Sequence, residues 1–244
     1  MPNLRVLYNN KTSTLAGSSS ANALTDRKST TTSFLANTGQ TLISSSTLTG
    51  KVMVVAMVNT LSSVTMSVTP SGRPTVTVTD TSTTTLTAGD SSTGNIKYVV
   101  VYLDLPSAIN SFSVSFSSTV SVSRILIGNY WEPKHNISYG ISVGYNDSAT
   151  VERLQSGDQY VITSPRNKTM TFDLQYIADQ DKYVLFDILR TNGKTVPLFV
   201  SLFPEDADKN LEQMYSIYGR FNTLPNMSYA TYTMHASSLQ LEEI

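Results

Sequence analysis

From Ser63 onward, apolar residues return at every second position with Ser or Thr between them. Val64, Met66 and Val68 come first, then Val76 and Val78, then Phe112, Val114 and Phe116. A period of two puts successive side chains on opposite faces of a strand, so each run has one face for a core and one for solvent. Two other stretches are apolar almost throughout, Lys51 to Asn59 and Ile96 to Leu103. Such runs describe strands covered on both faces. Helix is disfavoured across this region, because β-branched side chains lose freedom in a helix and Ser and Thr compete for its backbone hydrogen bonds.

Turn residues divide these runs. Asn9-Asn10 closes a short first strand at Leu4 to Tyr8, Pro70 to Pro74 and Asp104 to Ser107 turn the chain, and Ala88 to Gly94 reads as a loop. Lys11 to Thr49 is mostly Ser, Thr, Asn and Gly, but Leu24, Phe34, Leu35, Leu42 and Ile43 tie it to a core as ordered loops and short strands. About eight strands at roughly ten-residue spacing argue an antiparallel β-sandwich over residues 1–129.

Val120 to Pro133 is the junction. It alternates, becomes continuously apolar at Ile125 to Ile127, and ends beside Trp131, the only tryptophan. Trp131, next to Pro133 at a change of composition, is placed to lock two modules together. Beyond it, residues 130–244 carry more charge and more tyrosine. Strand patterns occur at Tyr139 to Tyr145, Gln159 to Thr163 and Lys168 to Tyr176, with a turn at Arg153 to Asp158. The period then changes. Over residues 179–191, Tyr183, Phe186, Ile188 and Leu189 fall near one helical face, acidic residues lie early, Arg190 lies late, and Asn192-Gly193 supplies a C-cap. Strand returns at Thr195 to Phe203. A short acidic helix is expected over Glu205 to Met214, followed by strands at Tyr215 to Phe221, Ser228 to Met234 and Ser237 to Leu241. The predicted class is mainly β: an N-terminal antiparallel sandwich, then a β-rich domain with one or two helices.

Composition narrows the function. Charged residues make up 14% of the 244-residue chain, against about 25% in an ordinary domain. The net charge is −1, which argues against a nucleic-acid partner, since that needs a basic face. The chain has no cysteine, so disulfides, thiolate metal sites and a cysteine nucleophile are excluded. No apolar stretch is long enough for a membrane span, and Met1 to Asn10 lacks the pattern of a secretion signal. Folding in a cytoplasm is the expectation. Asn-x-Ser/Thr triplets begin at Asn10, Asn136, Asn146, Asn167 and Asn226; with so much Ser and Thr, chance accounts for them.

No catalytic pattern emerges. His135 and His235 are available for a Ser-His-Asp arrangement, but there is no Gly-x-Ser-x-Gly elbow. A His-x-x-x-His pair and a phosphate-cradling glycine loop are also missing. Asp147 and Asp181 are loop carboxylates of the kind that serve calcium, and Glu205-Asp206-Ala207-Asp208 clusters more; the latter reads as an acidic helix start. The expectation is a protein that is not an enzyme, with no catalytic, cofactor or metal residues and no cofactor.

Two resemblances carry the functional expectation. Ser123-Arg124-Ile125-Leu126-Ile127-Gly128, a basic residue within the last apolar run, resembles the last strand of the galactose-binding-like jelly roll, over about residues 15–129. That resemblance implies glycan contacts at end loops, here including Asn22 to Lys28. In the second half, Arg153 to Asp158, Thr171 to Leu174, Leu185 to Gly193, Pro197 to Pro204 and Leu239 to Glu243 resemble tailed-phage tail and baseplate proteins, including distal tail proteins. The Ile-Gly-x-Tyr-Trp-x-Pro junction resembles minor tail proteins of such phages. These resemblances imply a structural virion component of a tail tip or baseplate, assembled in the host cytoplasm as part of a symmetric homo-oligomeric ring with other tail proteins. The alternative they leave open is a carbohydrate-binding accessory that recognises a host-surface glycan.

Overall fold

The computed structural model describes residues 3–16, 32–60, 62–83, 96–153, 157–162, 164, 166–231 and 234–244. Within them lie sixteen strands and two helices. The first half contributes β1 (Arg5–Leu7), β2 (Thr12–Ala16), β3 (Thr32–Phe34), β4 (Gln40–Asn59), β5 (Val64–Pro70), β6 (Val76–Asp80), β7 (Ile96–Phe116) and β8 (Val120–Trp131). The second contributes β9 (Ser142–Asp147), β10 (Thr150–Arg153), β11 (Gln159–Ile162), β12 (Arg166–Ile177), α1 (Asp179–Asn192), β13 (Leu198–Ser201), α2 (Lys209–Met214), β14 (Ser216–Thr223), β15 (Met227–Thr231) and β16 (Met234–Glu243). The protein is mainly β, and every strand pair is antiparallel.

The first half is built on one long hairpin. Val52 to Asn59 of β4 pairs with Ile96 to Leu103 of β7 and, on its other edge, with β8. The opposite end of the same hairpin, Gln40 to Ile43 with Ser111 to Val114, belongs to a second layer with β2, β5 and β6. Register shifts on either side of Leu48 lie where the hairpin passes from one layer to the other, with extra residues first on β4 and then on β7, because unpaired residues on one strand bend the ladder. Between the layers Leu42, Met66, Phe112 and Phe116 pack against Val54, Ala56, Val101 and Ile127. The expected turn at Asp104 to Ser107 is therefore absent. β7 runs through it, with Leu105 paired to Gly50 and Ile109 to Leu48, so those polar residues mark a bend within a strand.

The outward side of the second layer carries the hydroxyls. Thr65 pairs with Thr79 at 2.9 Å, Ser67 with Thr77 at 3.0 Å and Thr69 with Thr75 at 2.7 Å. This is the polar half of the alternation that begins at Ser63.

β1 joins the halves. Val6 and Leu7 pair with Trp131 and Tyr130 of β8, while the other edge of β1 pairs with Phe199 to Ser201 of β13. The sheet then continues through β14, β16, β12 and β9, so fourteen strands share one hydrogen-bonded sheet. The 129/130 division falls inside β8. One face of the second-half sheet buries Leu198, Val200, Ile217, Phe172 and Leu241 with Leu185 and Ile188 of α1. On the opposite face, Phe199, Tyr218 and Leu7 pack against Met53, Val55, Met57, Tyr98 and Leu126 of the first half. The β4–β7–β8 layer thus has a core on each side, which explains why Lys51 to Asn59 is continuously apolar.

α1 spans the expected segment, and Gly193 closes it with φ 51°, its N–H donating to Leu189 O. Its buried face differs from the expected one. Leu185 and Ile188 are buried and Leu189 is half-buried, whereas Tyr183 and Phe186 face solvent. The expected helix over Glu205 to Met214 is shorter, because the Asp208 side chain caps it by accepting from Asn210 N at 3.0 Å. No described helix is long and apolar enough to cross a membrane.

Candidate functional site

Polar groups are concentrated in two places, a buried seam and an exposed aromatic surface. At the seam, α2 delivers Gln213 to the side of β7 at Tyr98 that no strand pairs with among the described residues. Gln213 Oε1 accepts from Tyr98 N at 2.9 Å, and Gln213 Nε2 donates to Tyr98 O and, at 2.8 Å, to Asp80 Oδ2. Asp80 also accepts from Ser82 N at 2.8 Å and from Lys97 Nζ at 3.4 Å. Lys97 Nζ completes its shell on Ser62 O at 2.7 Å and Ser82 O at 3.1 Å.

The network continues into the second half. The Tyr98 hydroxyl donates to Glu243 Oε1 at 3.3 Å and accepts from Tyr218 N at 3.2 Å. Glu243 Oε2 accepts from Lys168 N at 3.1 Å, and Lys168 Nζ donates to Gln213 O at 3.1 Å and Ser216 O at 2.8 Å. Burial, then the Glu243 charge, hold the Tyr98 hydroxyl well above its usual range. Burial likewise raises the Glu212 carboxyl, against the pull of Lys209 at 2.6 Å. A second bridge is ionic. Arg5 lies over the rings of Tyr102 and Tyr130, at 4.1 and 5.1 Å, with Glu205 at 2.9 Å. The Tyr98, Asp80, Lys97, Lys168, Gln213 and Glu243 groups hydrogen-bond one another across the seam and tie the halves together.

The exposed surface belongs to the second half. β10 and β11 form a hairpin that is solvated on both faces and separate from the main sheet. Val151, Tyr160, Val161 and Ile162 on it are between 49% and 58% exposed. Around the start of α1, Tyr183 and Tyr229 are 69% and 76% exposed. Between them Asp179 Oδ1 accepts from Lys182 Nζ at 2.8 Å and meets His235 Nε2 at 3.3 Å. The Tyr229 and His235 rings meet at a tilt of 46° with centroids 4.6 Å apart, and Lys182 Nζ lies 5.1 Å from the Tyr183 ring centre. These hydrogen bonds, from Lys182 first and His235 second, lower the Asp179 carboxyl below its ordinary value.

The residues singled out in the sequence are dispersed. Trp131 is buried in the second core, its Nε1 donating to Asp181 Oδ1 at 3.2 Å, and Asp181 Oδ2 accepts from Lys134 N at 2.9 Å. Asp147 accepts from Arg166 Nε at 2.8 Å and from Ala149 N at 3.0 Å. Both carboxylates named as calcium candidates are thus committed to protein donors. Asp206 Oδ1 accepts from Asp208 N at 2.9 Å, and Asp208 caps α2, so that acidic cluster organises a helix start. Among the described residues, no three His, Asp or Glu side chains are grouped to hold a metal ion. His135 and His235 lie in different settings, and only His235 joins the aromatic cluster. Arg124, the basic residue of the last apolar run, reaches across the seam to the Tyr218 ring at 5.5 Å. The expected glycan loop, Asn22 to Lys28, lies outside the described residues.

Sequence reasoning missed Gln213, Lys168 and the link from Tyr183 to Tyr229 through Lys182, Asp179 and His235. Single polar residues in amphipathic segments give no signal of a long-range partner; only the exposed tyrosines left a trace, as a local excess after Tyr130. Compared with known proteins, the chain matches no protein-family model and no curated protein sequence.

Proposed function

We propose that this chain is a structural component of a phage tail tip or baseplate, and that its second half builds a symmetric homo-oligomeric ring with other tail proteins. The tail assignment rests on the sequence resemblance of residues 153–243 to such proteins. The assembly part rests on one observation, the β10–β11 hairpin. An isolated two-stranded hairpin is marginal in water, yet this one carries Val151, Tyr160, Val161 and Ile162 exposed, with none of them in a buried core cluster of the described residues. A neighbouring subunit supplies the missing surface. A ring of this kind requires the hairpin to meet a different patch on the next copy, a head-to-tail contact that closes when the rotation does.

Light scattering after size exclusion tests this reading. The full chain is expected at a discrete multiple of the monomer mass, and a variant with residues 150–162 replaced by a short Gly/Ser turn is expected as a monomer with an unchanged circular dichroism spectrum. A full chain that stays monomeric at the highest soluble concentration, or a variant that assembles as before, overturns it.

A further inference from the structure

The start of α1 carries a second kind of surface, one that does not depend on assembly. Two tyrosines, Tyr183 on α1 and Tyr229 on β15, are both more than two-thirds exposed. An ammonium–carboxylate pair, Lys182 with Asp179 at 2.8 Å, is close to Tyr183 through Lys182 and is linked to Tyr229 through His235. His235 is itself buried, so it braces both Tyr229 and Asp179 from beneath.

The chemistry of this cluster selects its ligand. A protein partner is disfavoured, since charged residues, Lys and Asp among them, are depleted at the centre of protein interfaces. The Asp179 carboxylate works against an anion and the Lys182 ammonium against a cation. A neutral polyhydroxylated molecule suits both. Its vicinal hydroxyls donate to the carboxylate and accept from the ammonium as charge-assisted hydrogen bonds. Asp179 Oδ2 has no protein partner among the described residues and is available to it. Tyrosine rings offer an apolar face for the C–H side of a pyranose and a hydroxyl at the rim. We infer that Tyr183, Tyr229, Asp179 and Lys182 form a shallow saccharide-binding site braced by His235.

Saturation-transfer NMR on the full chain tests this, with methyl glycosides of glucose, galactose, mannose, rhamnose and N-acetylglucosamine as probes. At least one glycoside is expected to receive saturation on its ring protons. Tyr229→Ala and Asp179→Asn are each expected to cut that signal at least five-fold with circular dichroism unchanged, while Tyr139→Ala, at a fully exposed tyrosine elsewhere, leaves it intact. Asp179→Asn keeps the side-chain size, so loss there with Tyr229 resonances unmoved separates ligand contact from local unfolding. No saturation of any probe, or a signal that survives both substitutions, overturns the inference. Neither result bears on the ring, whose test is mass.

Discussion

The side-chain amide of Gln213 pairs with the main chain of Tyr98 as a neighbouring strand would, accepting from its N–H and donating to its carbonyl. An uncovered strand edge inside a protein leaves backbone groups unpaired, and one glutamine from α2 satisfies those of Tyr98. Gln213→Leu removes the partner of Tyr98 N, Tyr98 O and Asp80 Oδ2 together. Each buried group left unpaired costs on the order of 1–3 kcal/mol, so a loss of about 3 kcal/mol is expected in urea unfolding. A loss below about 1 kcal/mol would show that water or another side chain replaces the amide.

Glu212 makes stability depend on pH with an unusual sign. Its folded carboxyl is raised by burial, so between its unfolded and folded values the native chain holds the extra proton. Its contribution is fully present below the unfolded value and is lost as pH rises through the folded one. The Tm difference between the native protein and Glu212→Gln is therefore expected to move in favour of the variant as pH rises from acid towards neutral. Scanning calorimetry across that range checks the direction, and a difference that moves the other way contradicts it.

Two cores meet on opposite sides of the β4–β7–β8 layer, which bears on whether residues 1–129 and 130–244 separate. Trp131 reports the second core, and far-ultraviolet circular dichroism reports the strands of both halves together with the two helices of the second. Coincident denaturation by fluorescence and by circular dichroism is expected, and Phe199→Ala should shift both together by about 3–5 kcal/mol. Two distinct transitions would instead restore separable modules.

Gly219 sits where β14 meets β16. A Cβ there would run into the carbonyl of Glu242 on the adjacent strand, and backbone cannot step aside as a flexible side chain does. Gly219→Ala is expected to lower the midpoint more than Gly144→Ala, whose added carbon makes only ordinary contact with Thr169. Thermal unfolding of the two variants side by side gives the comparison.

Much of this fold was legible because a period of two needs no long-range information. Val64 to Val68, Phe112 to Phe116 and Met170 to Leu174 announced their strands, and Gly193 announced the end of α1. The double burial of Lys51 to Asn59 was legible too, though not that the second half supplies the outer cover. Local residues misled at Asp104 to Ser107, where Asp, Pro and Ser have turn chemistry but a bulge keeps β7 paired. They misled again on α1, where apolar side chains surround the helix and spacing alone cannot say that Leu185 faces the core and Tyr183 faces water. The Tyr229–His235–Asp179 cluster was invisible because strand pairing of β15 with β16 and the packing of α1 bring it together.

The place of β1 also fixes the order of events at the ribosome. Arg5 to Leu7 emerges early, but its partners Tyr130 and Trp131 follow only after the whole first half, and Phe199 to Ser201 later still. Closing such long loops is slow. Until Leu198 to Tyr218 arrives, Met53, Val55 and Met57 lie bare on a layer that is otherwise complete. A nascent chain paused in that interval offers chaperones a broad apolar face, and a truncated chain offers the same face to its own copies.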